Sequence, residues 1–325
     1  MRLGTRASAL ALAQAQLVAG LLEAAHGAGA VELVPIVTRG DRESAGLDDG
    51  SGQLAGDGPP GEPPPGEDKS RWVSELERAL LAGEIDAAVH SAKDVPGELA
   101  DDLVLLAAPP RAAAEDMLCG AHGLDGLAPG ARVGTSSVRR IAQLRAARDD
   151  LELVAMHGNV DTRLRKLADP AERLDAIVLA RAGLQRLGRE AEAGAVLDPQ
   201  RFLPAPGQGT LALEGRADDA ATREAIAAIG DGDTLTCLRA ERALARALDA
   251  NCETPLGALA RVAQDGTLLL EAWIGLPDGS AWIADRLGGE VDNPKGLGQA
   301  VGERLRLAGG TKMLAAAQKA VAPDA

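Results

Sequence analysis

Gly4-Thr5-Arg6-Ala7-Ser8 precedes an Ala/Leu-rich amphipathic stretch that runs to about Ala25, and Gly134-Thr135-Ser136-Ser137-Val138 precedes another that runs to about Arg148. Outward from these two turns the echo continues. Val31-Glu32-Leu33-Val34 is answered by Leu151-Glu152-Leu153-Val154, and a helical segment follows in each half, Trp72 to Leu81 and Val160 to Leu167. Each half then has an apolar strand opened by Asp-Ala, Asp86-Ala87-Ala88-Val89 and Asp175-Ala176-Ile177-Val178. Strand, helix, strand, helix, strand in the same order twice reads as two βαβαβ units with parallel sheets. After about Asp231 the pattern changes to a helix (Thr234 to Leu248) and three strand-like runs near 256–263, 267–276 and 281–287. Asp265-Gly266 and Asp278-Gly279 sit between the runs as hairpin turns, and a final helix over 298–320 is broken at Gly309-Gly310. That is a small α+β domain with an antiparallel sheet.

The 325 residues carry a formal net charge of -14, and 46% of them are hydrophobic. One Phe, three Trp and no Tyr leave the core to Ala, Leu, Val and Ile and argue against a stacking surface for nucleic acid. The negative charge argues against non-specific attraction to DNA or to an anionic membrane, so any anion must be held by a local cluster of Arg. Three Cys (119, 237, 252) form no Cys-x-x-Cys pair and four His show no His-x-x-x-His spacing, so no disulfide scaffold and no metal site are expected. No apolar run approaches the roughly 18 residues of a membrane span. The N-terminus runs directly into folded-looking sequence with no signal peptide, and a cytoplasmic location is expected. Between Arg42 and Ser70 the Pro/Gly-rich composition reads as a surface loop, either a tolerated insertion or a lid.

The two Gly-Thr turns each lie between a strand and a helix. Unpaired N–H groups and the helix dipole attract carboxylate or phosphate there, and Ser8, Thr135, Ser136 and Ser137 add hydroxyls. Arg139 and Arg140 in a first helical turn are disfavoured by that dipole, which makes them conspicuous. His157-Gly158-Asn159-Val160-Asp161-Thr162-Arg163 occupies the same sheet edge, where ligands of α/β units sit. His90-Ser91-Ala92-Lys93-Asp94-Val95-Pro96 ends a strand with one acid beside one base, a general acid/base arrangement. A Ser-His-Asp hydrolase reading is poor, because Ser91 lies in no nucleophile elbow. Cys252 stands in a loop, Asp249 to Gly257, that joins a helix to a strand.

In combination these segments resemble the porphobilinogen deaminases, also called hydroxymethylbilane synthases. Val37-Thr38-Arg39-Gly40-Asp41, Ala182-Gly183-Leu184-Gln185-Arg186-Leu187-Gly188 and Leu203-Pro204-Ala205-Pro206-Gly207-Gln208-Gly209 extend the match in family order over nearly the whole chain. The resemblance implies two similar α/β domains of the periplasmic-binding-protein type, 1–108 with 207–229 and then 109–206, plus an α+β cofactor-attachment domain over 230–325. It implies a transferase of porphyrin and heme biosynthesis that condenses four porphobilinogen units head to tail into the linear hydroxymethylbilane, with release of ammonia. The primer is a dipyrromethane cofactor held by a thioether to Cys252. By the same resemblance Asp94 is the catalytic carboxylate. Lys93, Ser137, Arg139, Arg140 and Arg163 hold the cofactor. Arg6, Ser8, His157, Arg186 and Gln208 meet substrate, and Lys69 and Trp72 belong to the lid. Partners are porphobilinogen and the growing oligopyrrole chain, on a monomer.

The chemistry is coherent with the residues. Each pyrrole ring brings an acetate and a propionate, and Arg holds a carboxylate bidentately. Asp94 would relay the proton that lets ammonia leave. Three departures stand out: His157 replaces a usual Arg, Asp68-Lys69-Ser70-Arg71-Trp72 stands where the family has Gly-Lys-Gly-Leu-Phe, and Ala250-Asn251 replaces Gly-Gly before the Cys. The rival readings are a two-lobed anion-binding protein without catalysis, which would need export and no Cys252, and a ligand-sensing regulator, which would bring a DNA-binding domain.

Overall fold

The computed structural model describes residues 1–37, 70–251 and 253–321. Lys69, Cys252 and the Pro/Gly-rich segment up to 69 lie outside the described residues, and so does the side chain of Trp72. The chain begins with β1 (Arg2–Arg6), α1 (Ala9–His26), β2 (Glu32–Ile36), α2 (Ser70–Leu81), β3 (Ala87–Ser91) and β4 (Leu103–Ala107). It crosses to β5 (Asp116–Cys119), β6 (Arg132–Gly134), α3 (Val138–Ala147), β7 (Glu152–Val154), α4 (Val160–Ala168), β8 (Ala176–Ala180), α5 (Arg181–Arg186) and β9 (Ala195–Val196). It then returns through β10 (Leu211–Arg216) and α6 (Ala220–Ala227). The remainder is α7 (Gly232–Ala247), β11 (Leu256–Val262), β12 (Thr267–Gly275), β13 (Trp282–Glu290), α8 (Pro294–Leu305) and α9 (Thr311–Val321).

Two five-stranded sheets result, in the orders β2-β1-β3-β10-β4 and β7-β6-β8-β5-β9, with a three-stranded antiparallel sheet β11-β12-β13. The expected parallel pairings β2-β1-β3 and β7-β6-β8 are present, but the sheets are mixed rather than wholly parallel. β10 runs antiparallel to β3 and β4, and β5 antiparallel to β8 and β9. The cause is connectivity: β5 and β10 are the first strands laid down after each crossing, so they enter from the edge at which the neighbouring parallel strands end.

Local rules place the helices. Ser8 caps α1 by accepting from the Ala11 amide, and Ala11, Ala15, Val18 and Leu22 form its buried stripe at helical spacing. With 18 residues and a mean hydropathy of 1.2, α1 is long and apolar enough to span a membrane, which contradicts the reading that no run approached that length. Ala15, Val18 and Leu22 are nevertheless fully buried against the first sheet. Asn159 caps α4 in the same manner, accepting from the Thr162 amide.

The two crossings run side by side. The Ala112 amide and Arg186 Nη2 donate to Gly209 O (3.2 and 2.7 Å), Arg111 Nε donates to Gln208 O (2.9 Å), and Gln208 Nε2 donates to Ala114 O (2.7 Å). Gly209 has φ +86°, and a Cβ there would sit 2.5 Å from Ala112 O, so the close approach requires glycine. Glu241 of α7, wholly buried, ties both crossings to the third sheet. Its carboxylate accepts from Arg111 Nη1 (2.6 Å), the Gly207 amide (2.5 Å) and the Ala260 amide of β11 (2.7 Å).

Removing one member of a buried ion pair leaves the other charge uncompensated, so Glu241→Ala is expected to cost about 3–5 kcal/mol in urea unfolding. An unchanged midpoint would show that the crossings hold without this carboxylate.

Candidate functional site

The strand ends that follow β1, β3, β6, β7 and β8 open onto one cleft. A chamber of about 540 Å³ is lined by Asp94, Arg139, Arg242 and Asn251 among others. A second chamber, of about 780 Å³, is lined by Arg6, Ser8, His157 and Arg186. Lys93, Asp94, Arg140, Arg163 and Gln208 border both, so the two are continuous. Seven cationic side chains, Arg6, Lys93, Arg139, Arg140, Arg163, Arg186 and Arg242, line the cleft, against one described carboxylate, Asp94. In a chain of net charge -14 this is a local inversion of sign. Cys252 lies outside the described residues, but Ala250, Asn251 and Thr254 border the chamber that holds Asp94.

Lys93 and Asp94 form a single 3₁₀ turn, Ala92–Asp94, at the end of β3, both half-buried and both facing the two chambers. Ser8 and Ser137 cap α1 and α3, accepting from the amides of Ala11 and Arg140. A hydroxyl that accepts in a cap still has its O–H to donate, so capping and ligand contact are compatible. His157 is exposed, with Nε2 3.4 Å from Ser136 Oγ.

Arg139 and Arg140 are the conspicuous pair in the first turn of α3. Both are buried around Asp116, itself 1% exposed. Arg139 Nη1 lies 2.9 Å from Asp116 Oδ2, and Arg140 Nη2 donates to Oδ1 at 2.7 Å. Arg139 Nη1 also donates to Leu203 O (2.7 Å), and Arg140 Nη1 to Val178 O (2.9 Å). Burial pushes the Asp116 carboxyl up, but the two guanidiniums outweigh it and hold the group well below the usual carboxylate range. Two cations on one anion leave the trio with net positive charge. The Nε atoms of Arg139, Arg140 and Arg186 are buried without a hydrogen-bond acceptor among the described residues.

Arg163, Arg186 and Arg242 donate to backbone carbonyls. Arg163 Nε donates to Gly158 O (2.7 Å), and burial, with Arg140 nearby, lowers its pKa. Burial pushes Arg186 down to about 10. Burial, then the neighbouring Arg246, does the same to Arg242. An anion entering the cleft would add charge compensation beside Arg163 and Arg186. The residues therefore fit a polycarboxylate cofactor.

Gln208 is placed at the junction of the two chambers. It borders the cleft, but it is buried, and its amide donates to Ala114 O and to Asp116 Oδ1 (2.8 Å), so both amide hydrogens are engaged within the protein. Sequence reading missed Asp116 and Arg242. The only signal for Asp116 is an acid at the head of an apolar strand, Asp116-Met117-Leu118-Cys119. Arg242 is one of several Arg in a helix and carries no local signal. Cys119 and Cys237 are buried, and burial pushes each thiol up to about 11, so neither is a thiolate near neutral pH.

Comparison with known proteins comes to the same place. The family model described as "Porphobilinogen deaminase, dipyromethane cofactor binding domain" matches residues 1–224, and "Porphobilinogen deaminase, C-terminal domain" matches 235–306. Relatives named porphobilinogen deaminase include one from Xanthomonas oryzae pv. oryzae (strain PXO99A), 44% identical over 97% of this chain and 99% of its own. Another, from Roseiflexus sp. (strain RS-1), is 42% identical over 96% of this chain and 98% of its own. Among solved structures, an ABC transporter periplasmic substrate-binding protein from Coxiella burnetii covers 70% of this chain and 91% of its own, at 13% identity and a TM-score of 0.40. That likeness carries no argument, and the two-lobed fold rests on the sheet topology above.

The electrostatics of Asp116 can be checked by pH. A carboxyl whose folded pKa lies below its unfolded value of about 3.9 contributes stability that is complete above that value and lost as pH falls through the folded pKa. Between about pH 5 and pH 2 the native chain should therefore lose unfolding free energy more steeply than Asp116→Asn, which should be the less stable of the two at pH 7. Parallel curves would remove Asp116 as the counter-ion of the Arg pair.

Proposed function

Since the chain belongs to the porphobilinogen deaminase family, we propose that its cleft joins four porphobilinogen units head to tail into hydroxymethylbilane, releasing one ammonia per unit, with Asp94 as the catalytic carboxylate and Cys252 as the attachment point. The family membership makes it a transferase of porphyrin biosynthesis, with a dipyrromethane-binding domain over residues 1–224. The observation that supports the residue assignment most is the cleft itself: seven cations and Asp94, bordered by Asn251 and Thr254 on either side of position 252.

When bound, the dipyrromethane supplies the free pyrrole carbon on which the product is built. The side chains do the rest. Arg139, Arg140, Arg163 and Lys93 hold the acidic arms of the cofactor, and Ser137 donates its hydroxyl. Arg6, Ser8 and Arg186, in the larger chamber, receive those of the incoming porphobilinogen, and His157 adds a weaker contact where the family carries Arg. Asp94 carries a proton to the departing aminomethyl nitrogen, so that ammonia leaves. Its carboxylate then faces the cationic methylene left on the substrate and takes up the proton released at bond formation. Attachment makes each addition effectively intramolecular.

Residues 1–108 with 207–229, 109–206 and 230–325 are the three domains of this reading, supported by three separate sheets. Two free, buried thiols suit a reducing cytoplasm, and a net charge of -14 suits a protein without nucleic-acid or membrane partners. A monomer is the expected working form.

Asp94→Asn should lose turnover by about a hundredfold or more while keeping the urea midpoint. Steady-state rates like those of the native enzyme would refute the role of Asp94. Intact-mass measurement should find a covalent two-ring adduct that disappears in Cys252→Ser. An adduct that persists would move the attachment elsewhere.

A further inference from the structure

α7 runs along the underside of the Asp94 turn and leads directly into the loop of Cys252. Leu238, Arg242 and Arg246 recur every four residues, so they share one face of the helix. That face meets the segment after Asp94. Leu238 packs with Ala92 and Val95, and Arg242 Nη1 donates to Val95 O (3.3 Å). Arg242 Nη2 donates to Pro96 O (2.7 Å) and Gly97 O (3.0 Å), and Arg246 Nη1 to Gly97 O (3.2 Å). One guanidinium thus gathers three successive carbonyls, which a planar fork can do and a point charge does less well. α7 ends at Ala247, Asp249 takes a left-handed φ of 50°, and Ala250 and Asn251 border the chamber with Asp94 and Arg242. Beneath Arg242 the wholly buried Glu214 of β10, 2.9 Å from His90 Nε2, offsets part of the guanidinium charge.

We propose that Arg242 is a positioning residue for Asp94: by binding the carbonyls of Val95, Pro96 and Gly97, it fixes the turn that carries the catalytic carboxylate against α7. The inference rests on Asp94 being catalytic. It differs from a substrate-binding role, in which the guanidinium would meet a carboxylate of porphobilinogen. A displacement of the reacting geometry by about 1 Å is enough to cost on the order of a hundredfold in rate.

The test compares Arg242→Met, Arg242→Lys and Asp94→Asn as holoenzymes, with intact mass, thermal midpoint and steady-state kinetics on porphobilinogen. Arg242→Met should keep the two-ring adduct and a cooperative, somewhat lowered thermal midpoint, and, assayed well below that midpoint, lose kcat by about tenfold to a hundredfold with KM within about twofold. Arg242→Lys should recover part of kcat. A rise in KM with kcat spared would overturn the proposal in favour of a substrate ligand. Native kcat in Arg242→Met, or a loss of kcat explained by a lowered midpoint, would overturn it outright. If Asp94→Asn is inactive while Arg242→Met is normal, only this inference fails. If Asp94→Asn stays active, the assignment beneath it fails.

Discussion

A buried carboxylate between two arginines is the condition on which the cleft depends. Arg139 and Arg140 stand in the first turn of α3, where the helix dipole is unfavourable to cations, side by side and almost without solvent. Each circumstance alone disfavours the charged form. Asp116 offsets them together, and it is available because it heads β5, the first strand laid down after the chain crosses from one lobe to the other. Gln208, from the return crossing, donates to the same carboxylate. Charge compensation, strand order and the paired crossings therefore meet at one side chain.

The cationic surface that this arrangement permits is short-ranged by necessity. With a net charge of -14, the protein repels anions at a distance, and screening confines each charge to about 8–10 Å at physiological salt. Attraction begins only inside the cleft, where burial has removed competing water and left Arg186 and Arg242 with pKa values near 10. These groups remain protonated at neutral pH, so a polycarboxylate chain meets fixed positive charge whose desolvation was met during folding.

How much of this could be read from the residues depends on whether the information is local. The doubled strand and helix order was legible because Gly4-Thr5 and Gly134-Thr135 repeat one strand-to-helix turn. Gly134 has a packing reason too: a Cβ there would lie 2.7 Å from Met156 Cε. The Asp94 turn and the Arg cluster were legible as family motifs in order. The antiparallel strands were not, because strand direction follows from where the chain re-enters a sheet, and no periodicity within Leu211–Arg216 encodes it. Asp116 and Glu241 were equally hidden. Their partners lie 24 and 130 residues away in sequence, and only folding shows that each acid is surrounded by donors. Gln208 shows the opposite case: its place at the cleft follows from its motif, while the inward direction of its donors does not.

The attachment loop shows how a departure from family sequence can be absorbed. Ala250-Asn251 stands where Gly-Gly is usual, which removes backbone freedom beside Cys252. The left-handed residue is Asp249 instead, directly after α7. Asn251 then bonds to the residues that follow position 252. Its amide donates to Thr254 Oγ1 (3.0 Å), the Thr254 hydroxyl donates to Asn251 Oδ1 (3.0 Å), and the Glu253 amide donates to the same oxygen (3.0 Å). The hydrogen bonds among Asn251, Glu253 and Thr254 restrain the backbone at those positions, which glycine at 250 and 251 would leave freer. The loop starts at the end of α7, the helix whose Arg242 and Arg246 hold the carbonyls after Asp94, so the Asp94 turn and the loop that carries position 252 are joined through one element.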